Sequence, residues 1–318
     1  MPVIYTKAPG KIILFGEHAV VYGQPAIAIP VNKVNATARV FPTIDAQADM
    51  VRIQAPDINF EACLADLPPD HPFAAAIRLA MQFAGVDRPP AYTLVITSTI
   101  PISAGMGSSA AIAIAIIRAI TGFLGKPITA DETSALAYEV EKIQHGSPSG
   151  IDNHVIAHQK PIFFSRNEPI QPLAVEQTTH WVIADTGEKT PTRVTVAEVH
   201  HRHTADPETY NQIFMQIGEI TRQARQSLIT GDLAALGFLM DQNQHLLDLL
   251  GVSSPSLEHL IHTAREAGAA GAKLSGGGRG GNIIALSSEE KTRQIETALL
   301  TAGATRVITT ALTKGGPR

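Results

Sequence analysis

The chain has 318 residues, 44% of them hydrophobic and 17% charged, with a formal net charge of −4 at pH 7. That length exceeds one ordinary core and suits two domains of about 150 residues each. The slightly negative balance excludes the basic footprint of a nucleic-acid or anionic-membrane binder, and a single cysteine, Cys63, excludes an internal disulfide framework or a thiolate metal cage.

The opening residues MPVIYTKAPGK lack the charged-then-apolar layout of a signal peptide, so a reducing cytoplasm is the expected location. Short apolar runs predict strands at 3–5, 12–15, 26–30 and 35–41. A helix is predicted over 72–85, then a β-branched strand over 91–97, then a helix over 109–124. The run AAIAIAII at 110–117 stops at Arg118, far short of a membrane span. The next helix, 130–145, opens on Thr129 with Glu132 three residues on, a capping box, and its buried stripe is predicted as Leu136, Val140 and Ile143. The polar segment 166–179, with two prolines, marks the domain boundary and gives domains 1–172 and 173–318. Beyond it come a strand at 180–187, helices at 207–229, 232–250 and 255–267, and a strand at 283–286. A helix over 288–302, with Ser287 and Glu290 at capping-box spacing, and a strand at 306–312 complete the reading. Strand, helix and strand in that order predict an α+β second domain on an antiparallel sheet.

Four segments carry candidate chemistry. In PISAGMGSSA (101–110), Gly105 and Gly107 allow a sharp turn, and Ser108 and Ser109 open a helix whose unpaired amides and positive dipole end suit a polyphosphate. A plain glycine turn with a serine cap is the bland alternative. In APGKIILFGEHAVVYG (8–23), Lys11, Glu17 and His18 interrupt apolar, strand-like sequence, so some of them must point inward; a Glu17–Lys11 ion pair at a strand edge explains the pattern equally well. In EKIQHGSPSGIDN (141–153), Glu141 flanks an apolar helix stripe, and Asp152 falls just past a loop dense in glycine, serine and proline. An aspartate there is either a turn former or a carefully placed carboxylate. KLSGGGRGGN (273–282) reads as a shaped turn rather than a linker, because apolar strand-like sequence follows at once.

In this order, these segments resemble the three signature motifs of the GHMP small-molecule kinases, and they are most similar to the mevalonate kinase branch of that family. PGKIILFGEHAVVYGQPAIA is similar to the first motif, PISAGMGSSAA to the phosphate loop and KLSGGGRGGNIIAL to the third; HGSPSGIDN, IADTG and LLDLLGVSSPSLEHLI resemble further stretches of that branch. The resemblance runs from about residue 7 to 286. It implies an α+β, two-domain fold with an N-terminal mixed α/β nucleotide-binding domain, a C-terminal ferredoxin-like domain and the active site between them. It also implies ATP-dependent phosphorylation of mevalonate to 5-phosphomevalonate for isoprenoid synthesis.

Carried over by position, the resemblance assigns Pro101, Ile102, Ser103, Ala104, Gly105, Met106, Gly107, Ser108, Ser109 and Ala110 to the ATP phosphates. Ser109 and Glu141 become the expected Mg²⁺ ligands, hard oxygen donors of the kind magnesium prefers. Asp152 becomes the base that takes the substrate hydroxyl proton, with Lys11 beside it, and Glu17, His18 and Thr190 hold mevalonate, Thr192 being an alternative to Thr190. Mevalonate and ATP are the expected partners, with neither nucleic acid nor membrane, and a homodimer is compatible with the family. The chain departs from the family at Gly277, where alanine is common, at Arg279, which replaces a glycine, and at Asn282; a long cation there faces an anionic ligand or solvent.

Other readings are weaker. Galactokinase-like chains tend to place an aspartate shortly after Gly-Glu-His, where this chain has Ala19-Val20-Val21, and a decarboxylase relative is not expected to keep Glu17-His18 with Glu141. Phosphomevalonate remains a rival substrate, and a non-catalytic sensor of the same fold would need no Lys11, Ser109, Glu141 and Asp152 together. His200, His201 and His203 lack the spacing of a zinc helix. Trp181 and the leucine pairs at 246–250 are expected in the core. Asn243 and His245 adjoin that run, and the segment 32–35 (NKVN) neighbours the expected purine pocket.

Overall fold

The computed structural model describes residues 3–43, 49–101, 105–145, 148–166, 168–314 and 316–317. The fold is α+β, in two compact units that are each discontinuous in sequence. The first comprises Met1–Gly10, Val34–Ile100 and Gly107–Gln159; the second comprises Lys11–Lys33, Pro101–Met106 and Lys160–Arg318. No helix among the described residues is long and apolar enough to cross a membrane.

The chain opens with two long strands, β1 (Ile4–Phe15) and β2 (Ala26–Pro42), each of which passes through both units. β3 (Val51–Ala55), β4 (Phe60–Cys63), α1 (Pro72–Ala84), β5 (Tyr92–Ser98), α2 (Ser108–Phe123), α3 (Ala130–His145) and α4 (Ile151–His158) follow. In the first unit the sheet runs β4-β3-β5-β2, with β1 also paired to β2; β3 lies parallel to β5, and the β2–β5 and β3–β4 pairs are antiparallel. The all-round apolar sequence of α2 buries it from Ala110 to Phe123, and it packs against α1, α3, α4 and β5. The hydroxyl of Thr6 on β1 donates to the Ala115 carbonyl of α2 at 2.7 Å.

Three local expectations change here. The strand pairs predicted at 3–5 with 12–15, and at 26–30 with 35–41, are single strands, because sheet pairing carries the backbone through Pro9-Gly10 and Asn32-Lys33. On α3 the capping box forms, with Glu132 N–H donating to Thr129 Oγ1 at 3.2 Å and Thr129 N–H to Glu132 Oε2 at 2.8 Å. Its buried residues, however, are Thr133, Ser134, Ala137, Glu141 and, as expected, Val140, while Leu136 is half-buried and Ile143 is 45% exposed. Three polar residues are buried there because each finds a hydrogen-bond partner, so hydrophobicity alone places only part of the buried face. β3, β4 and α4 have no counterpart among the expected elements; α4 starts directly after a string that reads as loop.

In the second unit come β6 (Ile162–Phe164), β7 (Gln171–Pro172), β8 (Thr179–Asp185), α5 (Thr192–Ala205), α6 (Pro207–Thr230), α7 (Leu233–Leu249), α8 (Pro255–Glu266), β9 (Gly271–Ser275), β10 (Asn282–Ser287), α9 (Thr292–Thr301), β11 (Arg306–Thr313) and β12 (Gly316–Pro317). The first residues of β2 pair antiparallel with β6, and β6 pairs with β7. The main sheet has the antiparallel order β12-β11-β8-β10-β9. Its β8, β9-β10 and β11 strands, joined by helices, reproduce the ferredoxin-like βαββαβ arrangement. Helices α6, α7 and α8 are capped by Asp206, Asp232 and Ser254, whose side chains accept from backbone amides of the first turn. The edge of β9 is closed by α7: Asp241 Oδ1 accepts from Ala272 N–H at 3.2 Å and Gln244 Oε1 from Leu274 N–H at 2.9 Å. The predicted capping box at Ser287 and Glu290 is absent, and α9 starts only at Thr292. Ser287 is the last residue of β10, paired with His180, and its hydroxyl donates to Ser288 O.

Candidate active site

In the first unit the N-terminus of α2 meets the C-terminal part of α3. Gly107, in the left-handed region at φ 70°, caps α2, so Ser108 and Ser109 occupy its first turn, where free amides gather. Ser109 Oγ donates to Glu141 Oε1 across to α3, and Glu141 is buried. A buried carboxylate beside a hydroxyl at a helix N-terminus is a hard-oxygen pair that suits a divalent cation such as magnesium. Asp152, expected just past a loop, lies there, in the first turn of α4 behind Gly150 at φ 87°. The next residue anchors it: buried Asn153 donates from Nδ2 to Ser134 Oγ at 2.8 Å and Ser134 O at 3.1 Å on α3.

The second unit gathers the residues of the GEH segment. Gly16 adopts φ +94°, and a Cβ there would stand 2.3 Å from Pro25 O, so only glycine makes this turn. The turn aims Glu17 inward, where it pairs with Lys273 of β9, both side chains being fully buried. Burial pushes the Glu17 carboxyl up and the Lys273 ammonium down, each shift opposed by the partner's charge. Lys273 also donates to Leu274 O at 2.6 Å. His18 holds φ 60°, a strained conformation for a non-glycine residue costing roughly 1–3 kcal/mol. The strain is offset by a bond from Nε2 to Gly277 O at 3.0 Å. Burial lowers the His18 pKa to about 4, so the ring is neutral; since a carbonyl can only accept, Nε2 carries the proton and Nδ1 is left as an acceptor.

The glycine loop 276–281 is the hub of this unit. Gly105 faces Gly276, and Lys11, buried on β1, donates its N–H to Met106 O at 3.0 Å. Gly278 has no room for a side chain, since a Cβ would fall 2.1 Å from Val252 O. Thr190 Oγ1 donates to Arg279 O at 2.6 Å, whereas Thr192 starts α5 against Gly277. The Arg279 side chain is already engaged within the fold: its guanidinium pairs with Glu198 of α5, and Nε donates to Gly251 O at 3.2 Å.

Several expected residues are thus brought together within each unit: Ser109 with Glu141 in one, and His18 and Thr190 with the glycine loop in the other, where Glu17 pairs with Lys273 of β9. Asp152 belongs to the first unit and Lys11 to the second. Ile102, Ser103 and Ala104 of the phosphate loop lie outside the described residues; Pro101 is half-buried, and Met106 and Ala110 are buried. The segment 32–35 continues β2. Glu17 feels the Lys11 charge considered from sequence, and it also forms an ion pair with Lys273, which the sequence reading misses. Its one signal is a lysine inside the apolar string AGAKLS. His203 on α5 bonds Asn211 Oδ1 at 3.0 Å and packs against Tyr22, and among the described residues no cluster of three or more His, Cys, Asp or Glu could hold a metal. Trp181 is fully buried and donates to Thr179 Oγ1 at 2.8 Å.

Comparison with known proteins finds relatives along nearly the whole chain. Residues 71–159 match the GHMP kinases N terminal domain and residues 224–305 the GHMP kinases C terminal domain. The chain is 36% identical to a mevalonate kinase of Thermococcus gammatolerans, over 96% of this chain and 95% of that one. Among solved structures it is similar to the Methanococcus jannaschii mevalonate kinase, with a TM-score of 0.86 and 28% identity over 98% of both chains. It is similar also to L. major mevalonate kinase in complex with R-mevalonate, with a TM-score of 0.84 and 29% identity over 98% and 97% of the two chains.

Proposed function

Since the chain belongs to the GHMP kinases, we propose that it transfers the terminal phosphoryl group of ATP to the 5-hydroxyl of mevalonate, giving 5-phosphomevalonate for isoprenoid synthesis. The observation that supports this reading is 36% identity to a mevalonate kinase over 96% of this chain. Phosphoryl transfer asks mainly for alignment and charge neutralisation, so a short list of residues suffices.

In this proposal the loop 101–110 wraps the ATP phosphates on the amides at the start of α2. Ser109 and Glu141 would hold Mg²⁺, which when bound neutralises charge on the phosphate oxygens. Asp152 takes the proton from the mevalonate hydroxyl. Lys11 supplies a positive charge that lowers the pKa of that hydroxyl and balances charge building on the transferred group. Glu17, His18 and Thr190 hold the rest of mevalonate, with the neutral His18 offering Nδ1 as acceptor to a substrate hydroxyl. We further propose the division into an N-terminal domain, 1–172, and a C-terminal domain, 173–318, with the two family segments on either side of the boundary. The cytoplasm is the proposed location, neither nucleic acid nor membrane is a proposed partner, and a homodimer is compatible with this reading.

ADP release measured with and without mevalonate tests the proposal. Stimulation by mevalonate is expected, and stimulation only by phosphomevalonate or a sugar would overturn the substrate; tight ATP binding without turnover would point to a sensor. Asp152→Asn is expected to keep nucleotide binding while losing about 10²–10⁴-fold in turnover, since it removes the base; near-normal turnover would remove Asp152 from that role.

A further inference from the structure

The glycine loop presents two carbonyls, two residues apart, to side chains expected at the alcohol substrate: Gly277 O accepts from His18 and Arg279 O from Thr190. The residue between the Thr190 anchor and the rest of the fold is the one that departs from the family's all-glycine pattern. Arg279 sits at φ 55°, a conformation glycine adopts freely and arginine does not. Its backbone N–H donates to Val252 O at 2.7 Å, Nε to Gly251 O at 3.2 Å, and the guanidinium pairs with Glu198. One residue is therefore tied to the turn after α7 through backbone and side chain, to α5 through its charge, and to the substrate stretch through its carbonyl. The stretch 186–190 leans on the same loop at two more points, with Gly281 N–H donating to Glu188 O at 2.9 Å and Thr186 N–H to Gly281 O at 2.9 Å.

We propose that Arg279 is a positioning residue: clamped by Glu198 and Gly251, it fixes the carbonyl that holds Thr190, and so sets the affinity for the alcohol substrate rather than for the nucleotide. The planar fork of the guanidinium is what permits two anchors in fixed directions, which an ammonium cannot reproduce. The Arg279 and Glu198 side chains are 32% and 41% exposed, so the ion pair contributes little to global stability. Its effect is on where the loop sits. The inference rests on mevalonate being the substrate.

The test compares Arg279→Gly, Arg279→Lys and Glu198→Ala with the unsubstituted chain, measuring KM for mevalonate and for ATP, kcat, and the thermal midpoint. Glycine suits the local backbone, so Arg279→Gly is expected to fold. All three variants are expected to raise KM for mevalonate by about tenfold, with KM for ATP within about twofold and the midpoint nearly unmoved. A rise in KM for ATP instead would place the guanidinium on the phosphates and overturn the assignment. A lowered midpoint with both KM values unchanged would make the clamp structural only, and an Arg279→Lys enzyme with the original mevalonate KM would show that charge suffices; each overturns the proposal. Absence of mevalonate turnover in the unsubstituted chain would instead sink the functional reading, and this inference with it.

Discussion

His18 and Glu17 are adjacent in sequence yet solve burial in opposite ways. His18 stays neutral, whereas Glu17 acquires a buried cation. A histidine whose folded pKa is about 4 against 6.5 unfolded binds fewer protons when folded between those values. Stability from this residue is therefore complete above pH 6.5 and is lost as the pH falls towards 4, by roughly 3 kcal/mol in all. Urea denaturation at pH 5 and pH 7 should show a smaller pH difference for His18→Gln, which keeps a donor for Gly277 O; an unchanged difference would mean that His18 is not the titrating group. Lys273 makes the complementary case. Removing one member of a buried ion pair leaves the other charge uncompensated, so Lys273→Met should cost about 3–5 kcal/mol. Adding Glu17→Gln should recover part of that loss, and a double variant no more stable than the single one would deny the coupling.

At the scale of elements, α3 shows how caps and partners divide the work. Its start is written locally in Thr129 and Glu132, so Thr129→Ala should cost about 1 kcal/mol of stability, read from the denaturation midpoint. Turnover should hardly change, because Glu141 lies more than two turns away on the same helix; a large loss of ADP release would mean that the cap also positions the carboxylate. The buried face of α3 is not written locally in the same way. Ser134 and Glu141 are buried because Asn153 and Ser109 meet them there, and those partners arrive from α4 and α2. The helix expected over 288–302 starts late for a related reason. Ser287 has the spacing of a cap, but strand pairing with His180 holds it in the sheet.

At the scale of the molecule, the second unit draws residues 11–33 and 101–106 from the first third of the chain. Expressed alone, a 173–318 segment would lack Glu17 opposite Lys273 and His18 opposite Gly277. It is expected to remain without fixed tertiary packing, since an unpaired buried lysine and an open glycine loop would stay behind. Near-UV circular dichroism checks this, and a native-like spectrum with a cooperative unfolding transition would show that the segment does not need its distant partners.

The sequence alone determined the helices with strong periodicity and clear caps, the α+β class and the kinase family, because turn chemistry, capping residues and the glycine motifs act over a few neighbouring positions. Tertiary structure decided the rest. Lys273 as the partner of Glu17, the clamp of Arg279 on Glu198, the burial of Glu141 and the helical setting of Asp152 each depend on contacts across many residues of chain. A side chain's neighbours in space set its charge, its exposure and its direction, and no local pattern encodes them.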